Sequence, residues 1–428
     1  MYKKYIYYAI FSVLLASCTL KKPAKVTAIN DYDIFLQVEE NESLNFAKNE
    51  QEFWNAKYIN SPNQVSYLSK LSSAHTMLFE NTGTIEDLKK SEQFLIEANK
   101  KMKYKKVGLL HALSKNYSTQ HRFKEALELL KKAKAIGEKQ RATEKMLFDV
   151  YLELGDTFNA EKYLNSIKDI NDFDYLIRIS KWLDHNGDLT SAIRFMEKAT
   201  QKAALINDKN LLLWSYSNLA DFYGHSGNIE ASYQHYLKAL AINPNYTYAL
   251  RGIAWIVFSH EKNSSEALRI IDVIAQKKNT PDLLLLKADI AAYDNKTNIP
   301  YIDQYLELVA NKNYGEMYNS YNASIYSEQY ETIEKAIDIA QREIKNRATP
   351  QSYDLLAWAY HKKGESKKAF QIVKLHIEGK TFEPSIMYHV AEIYKANDLG
   401  KLAMNIKKEL LESTFELGPV KSKKVDQL

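Results

Sequence analysis

Apolar positions recur at three- and four-residue intervals over nearly the whole chain, with polar residues between them. That period gathers apolar side chains on one face of an α-helix. Leu44, Ala47, Phe53, Trp54 and Tyr58 mark one such stripe over residues 42–58, and Asn60, Ser61 and Pro62 stop it. A clearer pattern begins at Leu213. Tyr216, Leu219, Ala220 and Tyr223 form one stripe; Gly227 interrupts; Ser232, Tyr236 and Ala239 form the next, and Pro244 closes it. Two stripes joined by a glycine predict a helix, a tight turn and a second helix folded back on the first.

With Tyr216 at position 4 of a 34-residue unit, the remaining marks fall at 7, 8, 11, 15, 20, 24, 27 and 32. Small residues at 8 and 20 let the two helices approach, and large ones at 4, 11 and 24 fill the space beside them. The pattern resembles the tetratricopeptide repeat. It recurs upstream in three sets: Tyr117, Ala126, Leu130 and Ala133; Tyr151, Gly155, Ala160 and Leu164; and Leu183, Gly187, Ala192, Met196 and Ala199. Downstream it returns in Tyr353, Leu356, Ala357, Tyr360, Gly364 and Ala369, then in Ala391, Tyr394 and Ala403. Weaker units occupy residues 64–101, 247–279, 280–313 and 314–349. In the poorest of these, 280–313, Pro281 and Pro300 predict a break in the superhelix.

One helix pair cannot bury its apolar face alone, whereas stacked pairs build a continuous core. The expected fold is therefore all-α: an α-solenoid, or superhelix, of about ten repeats over residues 64–416. Residues 31–63 are expected to form an N-terminal helical cap. Residues 417–428, which lack an apolar period, are expected to be a loose C-terminal tail.

The first residues follow another rule. Lys3 and Lys4 precede an apolar run from Ile6 to Ala16, too short to span a bilayer as a helix. Residues 1–17 thus read as a secretory signal peptide. The following Leu15-Ala16-Ser17-Cys18 resembles the lipobox of bacterial lipoproteins, which implies cleavage before Cys18 and its acylation. Cys18 is also the only cysteine, so no disulfide supports the fold. Residues 18–30 are expected to be the acylated Cys and a tether to the membrane. Thr19, not Asp, follows the Cys and no acidic cluster comes after it; by resemblance this implies the outer membrane, facing the periplasm.

Little catalytic chemistry is legible. Without Lys3 and Lys4 the formal charge falls from +5 to +3, too little and too scattered to suggest nucleic acid. No phosphate-binding loop, dinucleotide fingerprint, HExxH or GxSxG motif occurs, and the histidines form no i,i+3 or i,i+4 pair for a metal. No cofactor, no metal and no enzymatic activity are expected.

Binding chemistry is better marked. The resemblance implies a concave groove lined by positions 2, 5, 9, 12 and 13 of each first helix. Those positions carry Trp214, Asp221 and His225 in one unit and Tyr248, Arg251, Trp255 and Phe258 in the next. Further along they carry Asp354, Trp358 and His361, then Tyr388. Trp, Tyr and Arg are the types that dominate binding hot spots. Trp54 and Trp182 miss these positions and are assigned to packing. The expected function is a membrane-anchored scaffold that holds a protein or peptide partner in its groove. Two alternatives are a nutrient-binding lipoprotein resembling SusD-type glycan receptors, and a component of an envelope assembly or secretion machine.

Overall fold

The computed structural model describes residues 24–428. The signal peptide, Cys18 and the start of the tether lie outside these residues.

Ten antiparallel helix pairs follow one another in the described residues. They are α3 (Val65–Thr82) with α4 (Ile85–Lys101), α5 (Val107–Thr119) with α6 (Phe123–Ile136), α7 (Gln140–Glu153) with α8 (Thr157–Ser166), and α9 (Phe173–His185) with α10 (Leu189–Leu205). The middle pairs are α11 (Lys209–His225) with α12 (Ile229–Ile242), α13 (Thr247–Trp255) with α14 (Ser264–Lys277), and α15 (Pro281–Tyr293) with α16 (Ile299–Val309). The last are α17 (Asn319–Ser327) with α18 (Ile333–Asn346), α19 (Pro350–Lys362) with α20 (Ser366–His376), and α21 (Pro384–Lys395) with α22 (Gly400–Leu410).

Local signals set these boundaries. Asp156, Asp188, Asn228 and Asn263 cap the second helix of their pairs through side-chain oxygens, satisfying an amide that the helix leaves unpaired. Gly155, Gly187, Gly227 and Gly364 make the inter-helix turn with φ between +77° and +91°. Ala126, Ala160, Ala192, Ala267, Ala336 and Ala369 are fully buried where the paired helices cross, so the backbones approach closely. Pro281 and Pro300 do not interrupt a helix. Each stands in the first turn of its helix, where a missing amide costs nothing.

Successive turns of the superhelix touch. Ile85 and Leu88 pack with Tyr314. The Asn346 amide donates to the His121 carbonyl at 3.1 Å, and Arg347 reaches Glu153 at 3.4 Å. A Cβ on Gly187 would stand 2.8 Å from the Phe382 ring. The inner face is therefore partly enclosed.

Both ends of the described residues depart from expectation. Helix α2 (Glu42–Asn60) packs on α3, but α1 (Ile29–Leu36) docks far downstream, on α12 and α14. The Glu261 carboxylate accepts the amides of Val26 and Thr27, Tyr32 is buried, and its hydroxyl donates to Glu266 at 2.7 Å. Residues 26–30 are thus docked rather than loose tether.

The expected C-terminal tail is also ordered: α23 (Thr414–Asp426) is helical on both sides of a bend at Gly418, with Leu417, Pro419 and Val425 buried. Its apolar residues are satisfied by elements distant in sequence, which a local period does not report. Among the described residues, no helix is long and apolar enough to cross a membrane.

Candidate functional site

The inner face between α11, α13, α15, α17 and α23 encloses a cavity of about 620 Å³. Five expected groove residues line it: Asp221, His225, Tyr248, Arg251 and Trp255. In its wall the Asp221 carboxylate accepts hydrogen bonds from the hydroxyls of Tyr236 and Tyr248. Burial pushes the Asp221 carboxyl up, opposed by those two phenols, and pushes the Tyr236 hydroxyl well above its ordinary value. Arg251 pairs with Asp282 and stands over the Tyr248 ring, 5.6 Å from its centre. His225 is exposed at the rim.

Gly252 makes room for the Tyr236 ring, which a Cβ there would strike. Gly252→Ala is expected to drive Tyr236 off Asp221 and to lower the melting temperature. Overpacking costs about 1–3 kcal/mol, more than the roughly 0.5–1 kcal/mol a helix gains from replacing glycine by alanine. A rise in melting temperature would show that the ring has another place to go. The Ser232 hydroxyl, buried against the same cavity, has no hydrogen-bond partner among the described residues.

Asp282, Leu285 and Asp289 line the cavity but were missed in the sequence. The signal was present. Pro281 starts its helix as Pro350 and Pro384 start theirs, and that register places all three at groove positions 2, 5 and 9. Tyr321, also at the cavity, shows no such register.

Other expected groove residues fall elsewhere. Phe258 is only 1% exposed. After α13 the helix widens into a π-turn, Ile256–His260, whose extra residue rotates Phe258 into the core, edge-on to Tyr293 at 5.6 Å. Asp354, Trp358 and Tyr388 are buried too, and form a separate cluster. Trp358 stacks on His389 at 4.0 Å and donates to Glu328 at 3.2 Å. Asp354 accepts from His389 Nδ1 at 2.9 Å, while its Oδ1 has no hydrogen-bond partner among the described residues. Tyr388 reaches Glu392 at 3.3 Å. His361, half-buried, stacks on Trp358 at 5.2 Å. These residues hold repeats together and offer no open face. Trp214 is 38% exposed but stands apart from the cavity, edge-on to Phe173.

A second cavity, of about 890 Å³, lies where two turns of the superhelix meet. Trp182, His185, Tyr353 and Phe382 line it, with Tyr353 stacked on His376 at 3.7 Å. Trp182 also packs on Phe148. Among the described residues, no group of three or more His, Cys, Asp or Glu is placed to hold a metal.

The tetratricopeptide-repeat family profile matches residues 215–246. Comparison with curated proteins finds no match. Among solved structures, a human IFIT1 dimer with PPP-AAAA is 12% identical, covering 73% of this chain and 71% of that one, with a TM-score of 0.45. PilF of Pseudomonas aeruginosa is 18% identical over 49% of this chain and 96% of its own, with a TM-score of 0.37. YrrB, described as a TPR protein with an unusual peptide-binding site, is 17% identical over 47% and 97%, with a TM-score of 0.27. The chain is an all-α solenoid that carries a tetratricopeptide repeat at residues 215–246.

Proposed function

We propose that this chain is a non-catalytic scaffold, anchored through Cys18 to the outer membrane and facing the periplasm, that holds a protein or peptide partner on its inner face. The observation that carries the partner half is the cavity between α11 and α15. Exposed Tyr248, half-buried Trp255 and the paired Arg251 and Asp282 surround it. Aromatic rings beside fixed charges bury area and set orientation together, as peptide recognition requires. Affinity capture from the native membrane tests it, comparing the wild-type chain with a Tyr248→Ala, Arg251→Ala double variant. A protein lost with the double variant is the expected result; an unchanged set of captured proteins would refute the site.

The anchor rests on the Leu15-Ala16-Ser17-Cys18 motif after a short apolar run. Burial contributes about 0.8 kcal/mol per CH₂, so two or more acyl chains hold a protein firmly where one does not. Cys18→Ala is expected to leave an unprocessed precursor that takes up no labelled palmitate. Normal processing of that variant would remove the anchor from the proposal.

A further inference from the structure

Helix α23 lies inside the superhelix, on the positions expected to receive a partner. The Phe415 ring fills the space left by Gly224 of α11, where a Cβ would stand 2.8 Å from it, and meets the Trp255 ring edge-on. The Phe415 carbonyl accepts from Trp255 Nε1 at 3.2 Å and from Ser259 Oγ at 2.6 Å. Gly418, at φ +72°, lies against the Trp255 indole so closely that a Cβ would stand 2.6 Å from it.

Beyond this bend the segment turns basic. Lys421 donates to Ser385 at 2.9 Å, with Asp289, Asp354 and Glu328 as the carboxylates about it. Lys423 stands 4.3 Å from the centre of the Tyr293 ring. Lys395 donates to the Gln427 carbonyl at 3.3 Å. Gly224, Trp255, Ser259, Ser385 and Lys395 all hold groove positions in the repeat register. A helix that merely capped the last repeat would pack on α21 and α22; this one also reaches α11, the π-turn and α15.

We propose that residues 414–426 are a built-in ligand of the groove. The external partner is then a peptide segment of the same chemistry: an aromatic residue followed, six to nine residues on, by lysines. It binds by displacing α23. This inference rests on the scaffold reading above and adds the partner's chemistry to it. The recognition is physical. The aromatic enters the gap at Gly224 against Trp255, and the lysines meet the carboxylates of Asp289, Glu328 and Asp354. A tethered segment competes at an effective concentration in the millimolar range, so a free peptide at micromolar concentration binds far below its intrinsic affinity.

The test uses the full chain and a fluorescein-labelled peptide of residues 411–428, read by anisotropy. Gly418→Val opposes the positive φ and strikes Trp255; Phe415→Ala empties the gap at Gly224. Both variants are expected to bind the peptide at least tenfold tighter than the wild-type chain. A peptide carrying Phe415→Ala, or all three lysines changed to Glu, is expected to bind at least tenfold weaker. Opened chains that bind no tighter, or indifference to those peptide changes, would overturn the proposal.

Should either variant lose its cooperative melt, hydrogen exchange on the wild-type chain decides. Saturating peptide is expected to speed exchange of residues 414–426 and to leave α21 and α22 unchanged; no change at 414–426 overturns the proposal. The two readings fail separately. If the Tyr248→Ala, Arg251→Ala variant loses its captured protein while the peptide never binds, the scaffold reading stands and this inference falls. If the peptide binds the opened chains and capture is unaffected, the site at Tyr248 and Arg251 falls and the groove under α23 is left as the scaffold's binding site.

Discussion

Replacing Trp358 by alanine is expected to destabilise its repeat by about 3–5 kcal/mol, the range for deleting a large buried aromatic. The sequence register placed this ring in the groove as a partner anchor; the fold buries it to 6% exposure. Its indole stacks on His389 at 4.0 Å, touches His361 and Tyr388, and gives its N–H to Glu328. Alanine would remove those contacts at once and leave the Glu328 carboxylate with Lys362 alone. Hydrogen exchange of α19 amides measures the loss repeat by repeat, which suits a solenoid better than one global unfolding curve. A loss below about 1 kcal/mol with a weakened partner complex would return Trp358 to the binding face.

The difference between Trp358 and Tyr248 shows where sequence reading reaches its limit. The 213–246 unit was legible because its small and aromatic positions both stand in register, and its two helices lie where that register puts them. Position alone does not say whether a groove is open. Trp358 faces inward in register, yet Glu328, just past the end of α17, and His389 of α21 close over it. Phe258 failed for a local reason: one extra residue in the π-turn turns it by about a quarter of a helical turn, and no residue type announces such a turn.

Helix α15 hid its groove residues behind a leucine run, Leu283–Leu286, that is apolar on more than one face because α14, α16 and α23 all pack on this helix. Residues 417–428 read as solvent-facing since Gly418 and Pro419 break the period and three lysines follow. Their partners come from α11, α15 and α21, and such long-range packing leaves no mark within the segment itself.

Tyr248 and Trp214 together provide the sharpest test of the site, because they are equally exposed, at 40% and 38%, and only Tyr248 lines the cavity. Tyr248→Ala with Arg251→Ala is expected to weaken the captured partner at least thirtyfold, the factor that corresponds to a hot-spot loss of about 2 kcal/mol. The fold should tolerate the change. Asp221 keeps its bond from Tyr236, and Asp282, the residue that loses its partner, retains 25% side-chain exposure to water. Tyr248→Phe separates the ring from the hydroxyl. It keeps the surface that Arg251 covers and removes the second donor to Asp221, so it is expected to cost less than tenfold. Trp214→Ala, the control, is expected to leave affinity unchanged, since its ring packs on Phe173 outside the cavity. Titration of the purified partner against the four chains measures all of this. Equal losses from Trp214→Ala and from the Tyr248→Ala, Arg251→Ala double variant would replace the cavity by a broad interface along α11 and α13, whereas an effect confined to Tyr248 and Arg251 assigns recognition to the groove that α23 borders.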